Sequence, residues 1–179
     1  VGAIALPMTA SVGADPASGT VVINELHYHP ATDNEEFVEL VNPGGTDVDL
    51  SGACFTAGIT GCFPSGTVLP AGGYLVAAQQ LAAYQAAFPT ASTPALIYGG
   101  ALSNGGETVT ISAAPVEPAP GVVLDSVTYA DVPPWPGAPD GDGPSLELAD
   151  PLGDNATADA WRASDPGPTP GAVNTQYGK

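Results

Sequence analysis

The runs VVINELHYHP (residues 21–30) and EEFVELVNPGG (residues 35–45) decide the fold class of this chain. In both runs apolar residues alternate with polar ones, and each run ends at proline or glycine. A period of two places successive side chains on opposite faces of a strand. Both runs are therefore predicted to be strands, and Glu25 and Glu39 are predicted to approach each other across the pair.

The same pattern of short apolar segments between turns recurs along the rest of the chain. Its 23 glycines and 20 prolines divide it into pieces that are mostly β-branched or aromatic. We therefore predict an all-β fold of about eight strands, the later ones at residues 108–112, 122–129 and 145–148. One short helix is expected over residues 80–88, and the segment from residue 150 onward is predicted to be loop anchored by Trp161.

Nine segments, in order along residues 20–175, resemble the lamin tail domains of bacterial proteins. They are VINEL (22–26), EFVELVN (36–42), VDLSG (48–52), LPAGGYLV (69–76), LSNGGE (102–107), DSVTY (125–129), DGDGPSLEL (140–148), WRAS (161–164) and PGAVN (170–174). The resemblance implies an immunoglobulin-like β-sandwich over residues 20–176 with no known catalytic apparatus. The chain departs from the family pattern after Leu-Ser-Gly, where Ala53 and Cys54 replace a common aromatic residue.

The charge of the chain excludes whole classes of partner. The chain has nineteen acidic residues and only two basic ones, Arg162 and Lys179, so its formal net charge is −17 at pH 7. Nucleic-acid binding needs basic residues that neutralise phosphates, and an acidic surface is repelled by anionic lipid. No apolar run approaches the roughly 18 residues of a transmembrane helix. We expect no nucleic-acid partner and no membrane insertion.

Cys54 and Cys62 are the only cysteines, and their Cys-x7-Cys spacing lacks the second pair that a structural zinc site needs. A short loop between two strands brings such residues within bridging distance. A disulfide is the favoured interpretation, with two free buried thiols as the main alternative. A disulfide indicates an oxidising compartment, so the expected localisation is extracellular or at the cell surface.

Residues 1–14 (VGAIALPMTASVGA) carry no charge and are rich in small apolar residues. We interpret them as an extended apolar strand lent to a neighbouring subunit, with Val1, Ala3, Ile4 and Leu6 as the assembly residues and residues 15–19 as a polar hinge. Two alternatives remain open. The segment is a strand or cap of its own domain, or it is the remnant of a secretory signal cut after Ala14.

Several polar side chains are candidate ligands for metal ions. Asp140, Asp142, Asp150 and Asp154 offer hard oxygen ligands of the kind that calcium takes, although a solvated acidic turn is the preferred interpretation. His27 and His29, two residues apart on one strand, are candidates for zinc or copper or form an ordinary surface face. Calcium is therefore a possible cofactor, and no other is expected. Asn155-Ala156-Thr157 fits a glycosylation acceptor.

Trp135, set in the rigid sequence Pro133-Pro134-Trp135-Pro136, is the most distinctive aromatic residue. It is a candidate contact for a glycan or a partner protein, or a cover for one end of the sandwich.

Two functions follow as expectations, and no catalytic residue is assigned in either. The first is a non-catalytic structural subunit of an extracellular filament or surface assembly, a pilus-like homopolymer joined through the N-terminal donor strand. The alternative is a secreted calcium-dependent or glycan- or cell-surface-binding module. The Glu25–Glu39 pair is the one arrangement suited to general acid–base catalysis, and hydrogen bonding or cation binding is preferred for it.

Overall fold

The computed structural model describes residues 21–179, which fold into twelve strands, one α-helix and one short 3-10 helix. The strands are β1 (Val22–His27), β2 (Phe37–Val41), β3 (Val48–Asp49), β4 (Cys54–Ala57), β5 (Gly61–Cys62), β6 (Val68–Leu69), β7 (Tyr74–Ala78), β8 (Leu96–Ile97), β9 (Gly106–Ser112), β10 (Val123–Ala130), β11 (Leu146–Leu148) and β12 (Trp161–Ala163). The α-helix α1 is Leu81–Ala87, and the 3-10 helix is Ala158–Ala160. The predicted immunoglobulin-like, all-β architecture with one short helix is confirmed.

Two sheets form the sandwich, and a small third pair lies beside them. One sheet has six strands in the order β12-β11-β1-β2-β7-β8, and the other has four in the order β10-β9-β4-β5. Strands β3 and β6 form the two-stranded sheet. All pairs are antiparallel except β7 with β8.

Alternating side chains of the two large sheets fill the main core. Leu26, Val38 and Leu40 of the six-stranded sheet belong to the same buried cluster as Val109 and Val127 of the four-stranded sheet. A β-strand alternates its side chains between faces, so the residues between these point to the outer face of the six-stranded sheet.

The outer face of the six-stranded sheet is also buried, although the alternating pattern of an amphipathic strand predicts that one face is exposed. All five residues of β2 are buried. Phe37 packs with Val76 and with Tyr84 of α1 in a second apolar cluster, and the chain after β12 covers the sheet beside it. The six-stranded sheet is therefore a layer enclosed on both faces over its central strands.

Two strands and the 3-10 helix were not predicted from the sequence. The segment after residue 150, predicted to be loop, contains β12, whose Trp161 is buried as expected of an anchor. Strand β8 was not predicted at all, since two residues carry too little periodicity to be recognised. The Cys54–Cys62 disulfide joins directly paired residues of β4 and β5, so that prediction is confirmed. The predicted donor strand and hinge, residues 1–19, lie outside the described residues.

Candidate functional site

Three glutamates form a row across the buried outer face of the six-stranded sheet. Glu147 of β11 pairs in register with Glu25 of β1, which pairs with Glu39 of β2. All three side chains have zero solvent exposure. The predicted approach of Glu25 and Glu39 is confirmed, and Glu147 adds a third carboxyl group that was not predicted. We call these three residues the glutamate row.

The donors to Glu25 and Glu39 come largely from one segment near the C-terminus. Thr169 donates its backbone N–H to Glu25 Oε1 at 3.0 Å, and the Ser145 hydroxyl donates to the same oxygen. Gly171 donates its backbone N–H to Glu39 Oε2 at 2.5 Å, and Asn24 Nδ2 donates to Glu39 Oε1 at 2.8 Å.

Glu147 fastens the rest of the same segment. The Thr169 hydroxyl donates to Glu147 Oε1 at 2.9 Å. The Thr175 hydroxyl at 2.7 Å and the Gln176 backbone N–H at 3.0 Å donate to Oε2. Residues 168–176, which we call the C-terminal clasp, are thus held across three strands by carboxyl oxygens of all three glutamates.

A pair of asparagines extends this network to the backbone of the sheet. A register shift between Ile23 and Glu25 leaves Asn24 outside the regular pairing of β1 with β2. Asn24 donates to Asn174 Oδ1 at 2.9 Å, and Asn174 donates to the carbonyls of Asn24 at 3.0 Å and Leu148 at 2.8 Å. The clasp is therefore fixed to β1, β2 and β11 together.

The electrostatics of the glutamate row follow from its burial. Desolvation raises the pKa of Glu25, and the neighbouring Glu147 raises it further. Desolvation and then repulsion from Glu25 raise the pKa of Glu39. No basic side chain makes an ion pair with them, since the one ion pair in residues 21–179 joins His29 and Asp140. Glu25 and Glu39 therefore favour the protonated, neutral form.

The row has the residue types of an acid–base pair without the access that catalysis requires. A general acid or base must lie within hydrogen-bond reach of a substrate proton. These carboxyl groups are fully buried and already hydrogen-bonded to the clasp. The arrangement holds the C-terminal segment in place, which agrees with the preference for hydrogen bonding over catalysis.

The structure does not gather the four aspartates that we considered for calcium. Asp140 Oδ1 is hydrogen-bonded to His29 Nδ1 at 2.5 Å. Asp150 and Asp154 each accept the backbone N–H two residues further along the chain at 2.9 Å. Asp142 is an exposed loop residue. Across residues 21–179, no three His, Cys, Asp or Glu side chains are grouped so as to hold a metal ion.

The two histidines lie in different surroundings. His27 is buried against Phe37 and Phe88, and burial lowers its pKa to about 4. His29 is partly exposed and contacts Asp140. They do not form a shared surface for zinc or copper.

Trp135 packs against the end of the sandwich. It is partly buried against the main core, and its ring centroid lies 6.2 Å from that of the buried Trp161. Trp161 is fixed in turn, because its Nε1 donates to the Asn155 carbonyl at 2.8 Å.

The predicted glycosylation acceptor is wrong for the folded domain. Asn155 is buried, and its amide donates to Asp125 Oδ2 at 2.7 Å. A glycan needs that nitrogen at the surface.

Several apolar side chains of the described residues are more than half exposed, and two groups of them are relevant here. Val122, Val123 and Val132 are each more than half exposed, at the two ends of β10. Leu152, Val173 and Tyr177 are also more than half exposed, and they line a groove together with Val41 and Tyr74. No helix in the described part of the chain is long and apolar enough to cross a membrane.

The two sheets, with one face of the larger sheet enclosed by the helix and the C-terminal clasp, define a β-sandwich domain. The family model for the lamin tail domain matches residues 14–131, well over half of the chain, and the chain belongs to this family. Lamin tail domains are non-enzymatic structural domains. Comparison with curated proteins and with solved structures gave no match.

The fold extends past the end of the family match. Strand β11 lies between β1 and β12 inside the six-stranded sheet, and the clasp covers that sheet. Both follow residue 131 in the sequence. The C-terminal part is therefore integral to the domain.

Proposed function

We propose that this protein is a non-catalytic structural subunit of an extracellular filament or surface assembly, which polymerises through its N-terminal segment. Membership of a family of structural domains supports the non-catalytic part of this proposal. The full burial of the glutamate row supports it as well, since the most reactive-looking carboxyl groups are closed to substrates.

The observation that carries the proposal is the placement of exposed apolar surface on a strongly acidic chain. Copies that each bear a net charge of −17 repel one another, so contacts between them favour uncharged surfaces. The groove at Tyr74 is such a surface, and exposed apolar patches mark interaction sites. Val122, Val123 and Val132 add exposed apolar side chains at the two ends of β10. Residues 1–14 are apolar and uncharged, which suits them to reach these surfaces.

An extracellular location is part of the same proposal. The domain contains the Cys54–Cys62 disulfide. Disulfides persist in oxidising compartments and are rare in reducing ones. A high negative charge keeps copies soluble before assembly. Both features suit a secreted subunit.

Light scattering with negative-stain imaging tests the proposal. The full chain is compared with a version lacking residues 1–14 and with an Ile4→Asp/Leu6→Asp variant of full length. The matched control, Thr9→Asp/Ser11→Asp, adds the same charge to the same segment outside the assembly residues. We expect long polymers from the full chain and the control only. A full chain that stays monomeric at high concentration contradicts the proposal.

A further inference from the structure

The longest strand at the edge of any described sheet is β10. It has eight residues, whereas β12, at an edge of the six-stranded sheet, has three. The other edge strands, β5, β8, β3 and β6, have two residues each. Strand β10 pairs with β9 on one side, and no strand from residues 21–179 lies on its other side. Among the described edges, only β10 is long enough for an added strand to form a full ladder.

This edge has few of the features that protect edge strands in other proteins. Natural edges are commonly blocked by lysine, proline, inward-pointing charge or bulges. A register shift occurs near the start of β10, between Val123 and Asp125, and the six residues from Asp125 to Ala130 then pair regularly with β9. Within these six residues there is no proline and no basic residue. A six-residue stretch is therefore open to pairing.

The single charge in that stretch is already engaged by the domain itself. Asp125 Oδ2 accepts the backbone N–H of Ile23 at 2.6 Å and the Asn155 amide at 2.7 Å. The side chains of this stretch that point outward carry hydroxyls, with Ser126 bonded to Thr110 at 2.7 Å and Thr128 bonded to Thr108 at 2.7 Å. An approaching uncharged strand therefore meets no free charge along β10 before Asp131.

The chain's own N-terminal segment has matching length and charge. The six residues 1–6 are uncharged and lie well upstream of Val22, where β1 begins. The Ile23–Asp125 contact places the start of β1 beside β10. Residues 7–20 connect this segment to the described domain, and fourteen extended residues span at most about 50 Å.

We propose that the β10 edge of one copy binds residues 1–6 of a second copy as an added β-strand. This inference rests on the proposed function and identifies its acceptor. Main-chain hydrogen bonds supply much of the affinity in such β-augmentation, and the exposed Val122, Val123 and Val132 offer apolar contacts at the ends of the strand. Because donor and acceptor are different surfaces of one chain, the contact is head-to-tail and leads to open polymers.

Disulfide trapping between two full-length variants tests this acceptor. The donor carries one new cysteine, at Val1, Ala3, Ile4 or Leu6, for example Ala3→Cys. The acceptor carries Thr128→Cys, or Ser126→Cys as a second version, together with Ile4→Asp/Leu6→Asp so that it does not donate. Directly opposed residues in an antiparallel pair have Cα atoms about 4.5–5.5 Å apart, within disulfide range. The matched control acceptor carries Val68→Cys, an exposed position on the edge strand β6.

The products are resolved on non-reducing gels, and mass spectrometry identifies the linked peptides. We expect at least about tenfold more donor–acceptor heterodimer with a β10 cysteine than with Val68→Cys, because pairing raises the effective concentration of the thiols. Polymers that form without trapping at β10 overturn this inference and leave the proposed function standing. A chain with both Ala3→Cys and Thr128→Cys that links only to itself also overturns it. The absence of both polymers and trapping overturns the proposed function as well.

Discussion

Glu25 and Glu39 lie directly opposite each other on β1 and β2, fully buried and without an ion-pair partner in the described part of the chain. Glu147 continues the row on the other side of Glu25. Two like charges this close do not both ionise easily in a buried site. The protein therefore accepts an electrostatic cost in order to hold its C-terminal clasp with hydrogen bonds.

The free energy of unfolding is expected to fall as pH rises from about 5 through neutrality into the alkaline range. Burial raises the pKa of Glu25 and Glu39 in the folded state above the unfolded value, so the folded protein holds protons that the unfolded chain releases. Their stabilising effect is complete below the unfolded pKa and is lost as pH rises through the folded one. Urea unfolding at several pH values measures the free energy of unfolding, which should fall by a few kcal/mol across this range.

Glu25→Gln is the matched control for this pH dependence. A glutamine keeps the shape of the side chain and removes one of the coupled carboxyl groups, so the slope of stability against pH should become shallower. A wild-type protein whose stability rises from pH 5 to pH 9 would show that the row is ionised in the folded state.

Removing Glu147 should release the C-terminal clasp without unfolding the sandwich. Glu147→Ala leaves the Thr169 and Thr175 hydroxyls and the Gln176 N–H without their acceptor. A hydrogen bond contributes about 0.5–1.5 kcal/mol net, so the loss of three is expected to cost roughly 1.5–4.5 kcal/mol of the free energy of unfolding. Hydrogen exchange should accelerate in residues 168–176, whereas the exposed Asp33→Ala control should leave exchange there unchanged.

Trp135→Ala should lower the melting temperature because the indole packs against Trp161 at the end of the core. Truncating a partly buried aromatic side chain should cost about 1–3 kcal/mol. Thermal unfolding and glycan pull-down are measured on the same protein samples. Loss of glycan retention at an unchanged melting temperature would instead favour the glycan-binding function.

Calcium should not change the thermal stability of the domain. A ligand that binds the folded state raises its stability in proportion to the logarithm of its concentration over its Kd. The described residues offer no grouped set of three acidic or histidine side chains for a metal ion. Melting temperatures in excess calcium and in a chelator should therefore agree, and a clear rise with calcium would restore the calcium-dependent alternative.

Local patterns were sufficient to predict the strands around Glu25 and Glu39. Period-two alternation and a connection of about ten residues place β1 beside β2, so the meeting of the two carboxyl groups could be foreseen. The helix α1 was also predictable from its local apolar spacing. The packing of α1 on Phe37, which buries the outer face of β2, was not predictable, because the period of a strand does not show what packs against it.

Long-range pairing explains what the sequence did not predict. Glu147 reaches Glu25 only because β11 inserts beside β1, more than a hundred residues away in the chain, and nothing local specifies that register. The burial of Asn155 has the same cause, since its partners Ile23 and Asp125 come from distant strands. The prolines and glycines of the clasp indicate turns in the sequence. The glutamates that accept its hydrogen bonds could not be predicted, because they come together only when the sheet has formed.

The insertion of β11 between β1 and β12 also determines when the domain can finish folding. Strand β1 lacks its pairing partner on one side until β11 has been synthesised. Contacts of such large sequence separation slow folding, because the loop must close before the contacts stabilise it. The six-stranded sheet therefore cannot be completed until β11 has been synthesised, long after β1 and β2.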